Sequence, residues 1–203
     1  MTDLPVRERR RKLDHESVIV AAEGLVDRNG YDELTMTSLA LEVDVRVSSL
    51  YNHVTSLDDV RAAIQTRAMR GLGQILRTAA MGRTGVEGVH ALAAAFIEFA
   101  RATPQRYIAM TRTPIDRHAY LEASADAAEA LAVMIRTAGV PDRLLLQTQL
   151  ALFSAIHGYV SLELTGFFVG VTDDLDAVLA QVLRGAVSSA VLTASDAAAN
   201  PRP

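Results

Sequence analysis

Apolar residues recur along most of this chain at three- and four-residue intervals, the period of amphipathic helices, and no stretch shows the two-residue alternation of a strand. Val18, Ile19, Ala22, Leu25 and Val26 form the first stripe, behind Asp14, a good N-cap, and ahead of Gly30, a helix stop. Thr35 can cap a second, short helix with Leu39, Ala40 and Val43 inward. After a tight connection at Asp44 and Val45, a third helix is expected over 47–54, with Leu50 and Val54 on its buried side. Its other side shows Arg46, Ser48, Ser49, Asn52 and His53. Ser56 caps a fourth helix, with Asp58 and Asp59 in the first turn, where negative charge is favoured. Its stripe runs through Ile64, Ala68, Leu72, Ile75 and Leu76 to about Ala80. Such a helix spans roughly 35 Å, long enough to join two domains.

The period resumes after a break at 81–85. A fifth helix is expected over 86–102, with Val89, Ala93, Phe96, Ile97 and Ala100 inward. Pro104 can open a short sixth helix carrying Tyr107, Ile108 and Met110. The seventh is expected over 116–138, closed by Gly139 and Pro141. The eighth, over 142–167, is the most apolar, and the ninth, over 174–193, has Leu175, Val178, Leu179, Val182 and Leu183 at helical spacing. Small residues from Ser195 to Pro203 have little to bury and read as a disordered tail. The chain therefore reads as all-α with about nine helices. Residues 1–13 form a basic arm, 14–60 a small helical domain, 61–194 a larger one that shares the long fourth helix, and 195–203 the tail.

Two short helices joined by a tight turn make a helix-turn-helix, whose second helix can lie in a DNA major groove. The residues are more specific than the spacing. LTMTSLALEVDV, RVSSLYNHV and TSLDDV together resemble the N-terminal domain of the tetracycline-repressor (TetR) family of transcriptional regulators. That family shows a Thr-capped second helix, a small turn and a recognition helix ending in Leu-Tyr-x-His-Phe/Val, which Leu50, Tyr51, His53 and Val54 match. Asp44 stands where the family usually has Gly, and Asp tolerates a left-handed turn better than most residues. Arg46 and Leu57 also depart, Leu57 replacing a Lys that would meet phosphate. Farther on, Arg101 to Tyr107 resembles the family's junction between helices 5 and 6, and the run from His157 to Leu164 resembles a C-terminal helix of one subgroup.

The resemblance implies a dimeric repressor that binds a palindromic double-stranded operator and is released by a small molecule. Ser48, Ser49 and Asn52 are then expected at base edges, with Arg46 and Val47 nearby and Tyr51 and His53 on the backbone. Tyr51 is expected with its ring packed and its hydroxyl outward. Thr35 and Thr37, at the start of the second helix, would grip phosphate, and Arg10, Arg11 and Lys12 would follow phosphates or enter a minor groove. The ligand wall is expected to draw on Phe96, Phe99, Tyr107, Met110, Tyr120, Met134, Phe153 and His157, which implies a largely apolar effector with one or two polar groups. Helices 8 and 9 would form the homodimer, with Leu183 a candidate for the seam.

Composition changes this picture little. Half of the 203 residues are apolar, and there is no cysteine, which excludes disulfides and thiolate metal sites and fits a reducing cytoplasm. The first residues hold no apolar signal region. Residues 144–162 lack Asp, Glu, Lys and Arg, yet Gln147, Thr148, Gln149, Ser154, His157 and Ser161 interrupt them, as suits a buried bundle helix or an interface rather than a membrane span. The net charge of −4 is unusual for a DNA binder, but the Arg7–Lys12 region is locally basic. That acidity, with Asp44 and Leu57, sustains a rival reading: a helical ligand-binding or adaptor protein that no longer binds DNA. The five histidines form no zinc motif, and no phosphate loop or nucleophile elbow is present, so neither an enzyme nor a cofactor is expected. His157 and Glu163 each read either as interface or core residues or as ligand contacts.

Overall fold

The computed structural model describes residues 13–199 of the chain, so Arg10, Arg11 and Lys12 lie outside the described residues, as do residues 200–203. The described residues form helices and turns: α1 (His15–Asn29), α2 (Met36–Glu42), α3 (Val47–Leu50), α4 (Leu57–Ala80) and α5 (Gly85–Ala102). After these come α6 (Pro104–Thr111), α7 (Arg117–Thr137), a 3₁₀ turn at Asp142–Leu144, α8 (Leu145–Leu164) and α9 (Leu175–Ala199).

Local chemistry sets these boundaries. Asp14 and Ser17 exchange backbone and side-chain hydrogen bonds in a capping box, and Thr35 and Ser38 do the same at the head of α2. Ser56 accepts from the Asp59 amide at 3.0 Å to start α4, and Asp116 accepts from Ala119 at 3.0 Å to start α7. Asp44 takes a left-handed φ of 54°, as the turn between α2 and α3 requires.

Buried side chains gather into two clusters. The smaller one joins α1 and α2 to Leu50, Val54, Val60 and Ile64, and the larger one joins the rest of α4 to α5, α6, α7, α8 and Leu183 of α9. Two helices contribute to both. The start of α4 lies in the first cluster and its continuation in the second, while α6 gives Ala109 to the first and Tyr107 and Met110 to the second. Gly73 permits the close packing of α4 on α7, since a Cβ there would fall 3.1 Å from that of Asp126.

Several expectations change. The third helix is regular only to Leu50; Asn52 and His53 then bond back three residues, to Ser49 and Leu50, in tighter 3₁₀ fashion. Ser, Tyr, Asn and His are weak helix formers, so the helix loosens into a turn after Leu50, which the Val54 amide closes with a four-residue bond back to the Leu50 carbonyl at 3.0 Å. Ile75 faces outward, and Met69 takes its place in the stripe of α4. The eighth helix ends at Leu164, not 167, in a turn that contains Gly166 at φ 74°. The expected tail is helical from Ser195 to Ala199, where an alanine run supplies helix propensity. Leu183 is buried within the subunit and is not an outer seam residue.

Candidate nucleic-acid interface and the cavity behind it

The capped α2 and the left-handed turn at Asp44 bring Thr35, Thr37, Arg46, Ser48, Tyr51 and Asn52 together as exposed side chains, with Val47, Ser49 and His53 partly buried among them. Leu50 and Val54 anchor this surface by complete burial beneath it. Tyr51 departs from expectation: more than half exposed, its ring stands out from the turn rather than packing. An ion pair between Arg28 and Glu42 (2.8 Å) ties α2 to α1.

Behind these helices, α6 docks on α1. The Tyr31 amide donates to Gln105 Oε1 at 3.1 Å, and Arg106 donates to both oxygens of Asp27 at 2.7–3.2 Å. Those bonds hold the Arg106 guanidinium pKa above its ordinary value. Arg67 of α4 reaches Glu23 and Glu16 of α1 at 2.8 and 2.6 Å. Gln65, fully buried, donates to the Ala109 and Thr113 carbonyls at 3.2 and 3.3 Å and accepts from the Ile115 amide at 3.1 Å. Long-range hydrogen bonds thus hold α6 to both α1 and α4.

A cavity of about 450 Å³ opens between α4, α5, α7 and α8. Its wall combines the small residues Ala93, Ser124, Ala127 and Ala128 with Met69, Leu72, Phe96 and Phe153, and the short side chains leave space between the helices. Four residues expected in a ligand wall line it: Phe96, Tyr120, Phe153 and His157. The other four, Phe99, Tyr107, Met110 and Met134, are buried elsewhere in the large cluster and do not line it. Met134 covers Gly88, where a Cβ would fall 1.9 Å from its sulfur. Met110 accepts the Tyr120 hydroxyl at 2.6 Å through its carbonyl, and burial pushes the Tyr120 pKa up to about 12.

His157 sits among aromatic rings, with centroid distances of 3.9 Å to Phe153, 4.9 Å to Phe96 and 5.5 Å to Tyr107. Its Nδ1 is 3.1 Å from the Tyr107 hydroxyl, and its Nε2 has no partner among the described residues. Burial lowers its pKa to about 4, so the ring is neutral at pH 7. Glu163 is held by Arg101 within the subunit, Nε lying 3.1 Å from a carboxylate oxygen. Sequence reasoning passed over Gln65 and placed Gln105 and Arg106 only in a family-like junction, without their partners, which are distant in the chain. It also gave no cavity role to Gln149 or to the α7 residues other than Tyr120, because an alanine-rich α7 gives its inward face little contrast. No described helix is long and apolar enough to cross a membrane.

A small three-helix head carrying a polar turn is thus fixed to a larger helical body that contains a cavity. Comparison with known proteins makes this specific. A family model, "Tetracyclin repressor-like, C-terminal domain", matches residues 89–186. An uncharacterized HTH-type transcriptional regulator of Mycobacterium tuberculosis, Rv0681, is 35% identical over 167 residues, covering 81% of this chain and 75% of the relative. A protein of unknown function from Rhodococcus sp. RHA1 has a similar structure, with a TM-score of 0.73 at 19% identity over 89% of this chain and 98% of that one. A TetR variant from Acinetobacter baumannii AYE, solved in complex with minocycline, gives a TM-score of 0.67 at 20% identity over 90% and 99% of the two chains. At such identities these two structures show a common fold alone. The chain belongs to the TetR family of transcriptional regulators.

Proposed function

We propose that this regulator is a cytoplasmic, ligand-responsive repressor that binds a palindromic operator as a homodimer and leaves it when a small molecule fills the cavity. The observation that carries this reading is the double membership of α6. One side of that helix packs into the body core and bonds to His157 on the cavity wall, while Gln105 and Arg106 hold it to α1 of the head. A ligand that fits the cavity better in one α6 position than another shifts the spacing of the two heads, whereas equal affinity for both shifts nothing. The minocycline complex of the Acinetobacter protein gives a precedent, within the same fold, for a bound small molecule. Residues 14–60 act as the reading head and 61–194 as the sensing and dimer-forming body, and residues 1–13 as a basic arm.

Selection of bound duplexes from random DNA with purified full-length protein tests this. An inverted repeat should emerge, its half-sites about one helical turn apart or somewhat more. No enriched sequence would favour a helical adaptor that has lost DNA binding. On the selected duplex, Asn52→Ala should relax preference at one base position, a loss of about 1–3 kcal/mol if the contact is bidentate. Tyr51→Phe should weaken all sites about equally, because Tyr51 is exposed and a Tyr hydroxyl suits a phosphate oxygen, which carries no sequence information. Identical profiles for the two variants across mutated half-sites would remove these assignments.

The dimer seam is assigned to the outer faces of α8 and α9. On α8, Ser154, Gly158, Ser161 and Leu162 are exposed, and a Cβ added at Gly158 would meet nothing within 4 Å beyond its own helix backbone. Gly158→Glu should therefore fold but sediment as a monomer and bind operator at least about tenfold more weakly, because one head alone loses its partner's half-site. A dimeric Gly158→Glu protein with unchanged operator affinity would exclude this face.

A further inference from the structure

We propose that the cavity selects an uncharged molecule, apolar over most of its surface, with one carbonyl-type oxygen that accepts a hydrogen bond from His157 Nε2. This rests on the reading of the cavity as the effector site and adds the chemistry of the effector.

The lining holds no Asp, Glu, Lys or Arg. An ion entering it would lose water and gain no counter-charge, which strongly disfavours ionised ligands. The polar lining groups are Tyr120, Ser124, Gln149 and His157. Three of them already give a proton to a backbone carbonyl. Tyr120 donates to Met110 at 2.6 Å, Ser124 to Leu121 at 2.8 Å and Gln149 to Ala128 at 2.8 Å. His157 Nε2 is different, being buried and unpartnered.

Tyr107 decides what that nitrogen offers. Its hydroxyl is 3.1 Å from Nδ1 and a longer 3.4 Å from the His157 carbonyl. A phenol is the better donor beside a neutral imidazole, so Nδ1 accepts and the ring proton resides on Nε2. His157, a lining residue, therefore carries an unused donor packed among Phe96 and Phe153, which a ligand meets when the ring turns. Its volume of about 450 Å³ suits a compact organic molecule. Tyr107 acts as a positioning residue: it fixes the tautomer and, from α6, feels any displacement of the ring that the ligand causes.

Four probes of one shape separate these effects: benzophenone, diphenylmethane, diphenylacetate and benzhydrylammonium, titrated calorimetrically into the full-length protein. Benzophenone should bind about tenfold tighter than diphenylmethane, the size of one added hydrogen bond, and the two ions should not bind. His157→Phe should bring the two neutral affinities together while diphenylmethane still binds. Tyr107→Phe should shrink the preference without abolishing it, because the tautomer is then no longer fixed. Equal affinities in the wild-type protein, a preference retained in His157→Phe, or tighter binding of either ion would overturn the inference and leave the effector cavity standing. Binding of none of the four would overturn both.

Discussion

Gln65→Leu is expected to lower the unfolding free energy by about 2–4 kcal/mol, although the two side chains are similar in size and the change is from polar to apolar. Gln65 is 1% exposed, and both ends of its amide are used. Its nitrogen serves the Ala109 and Thr113 carbonyls and its oxygen serves the Ile115 amide. Leucine would leave these backbone groups without their partner in a region with little access to water, and each orphaned group costs about 1–3 kcal/mol before relaxation. Gln74→Leu, on the exposed side of the same helix, should change stability by no more than about 0.5 kcal/mol. Urea unfolding decides between them: the Gln65→Leu midpoint should fall with little change in slope. Equal midpoints for the two variants would mean that the Gln65 bonds contribute no net stability.

The same residue shows where sequence reasoning reaches its limit. Its bonds cross 44–50 positions and fix the end of α6 against α4, whereas the sequence shows only a glutamine within an apolar stripe. Local signals fared better. Thr35, Asp44, Ser56 and Gly30 mark helix ends through bonds to residues within a few positions, and Leu50 and Val54 are buried as their spacing implies. The third helix was overextended because periodicity cannot distinguish an α-helical last turn from a 3₁₀ one. Leu183 reads as a candidate for the seam because an apolar stripe does not say whether its partner lies in the same chain or in another copy. The cavity was half legible. Phe96, Tyr120, Phe153 and His157 stood out by type, yet a void depends on which small residues face them, and Ala93, Ser124 and Ala127 carry no mark of that.

Acidification should destabilise the wild-type protein more than His157→Gln, by up to about 3 kcal/mol between pH 6.5 and pH 4. Burial lowers the His157 pKa from 6.5 to about 4. The unfolded chain therefore binds this proton more readily than the folded one, and stability must rise with pH across that window. The contribution is complete above about pH 6.5 and is lost as pH falls through the folded value, where the charged ring must enter the apolar site. The groups packed on it cannot offset the charge: Phe96 and Phe153 are apolar, and burial raises the pKa of Tyr107, which stays neutral. Other ionisable groups of the chain also contribute to the pH dependence of stability. They are common to both proteins, so their effect cancels in the difference. Urea unfolding of the two proteins at pH 7 and pH 4.5 gives that difference directly, and the His157 ring signals followed by NMR should show no protonation down to about pH 5. Parallel loss of stability in the two proteins would place His157 in contact with water, and the ring would then lack the buried, unpartnered donor on which ligand selection depends.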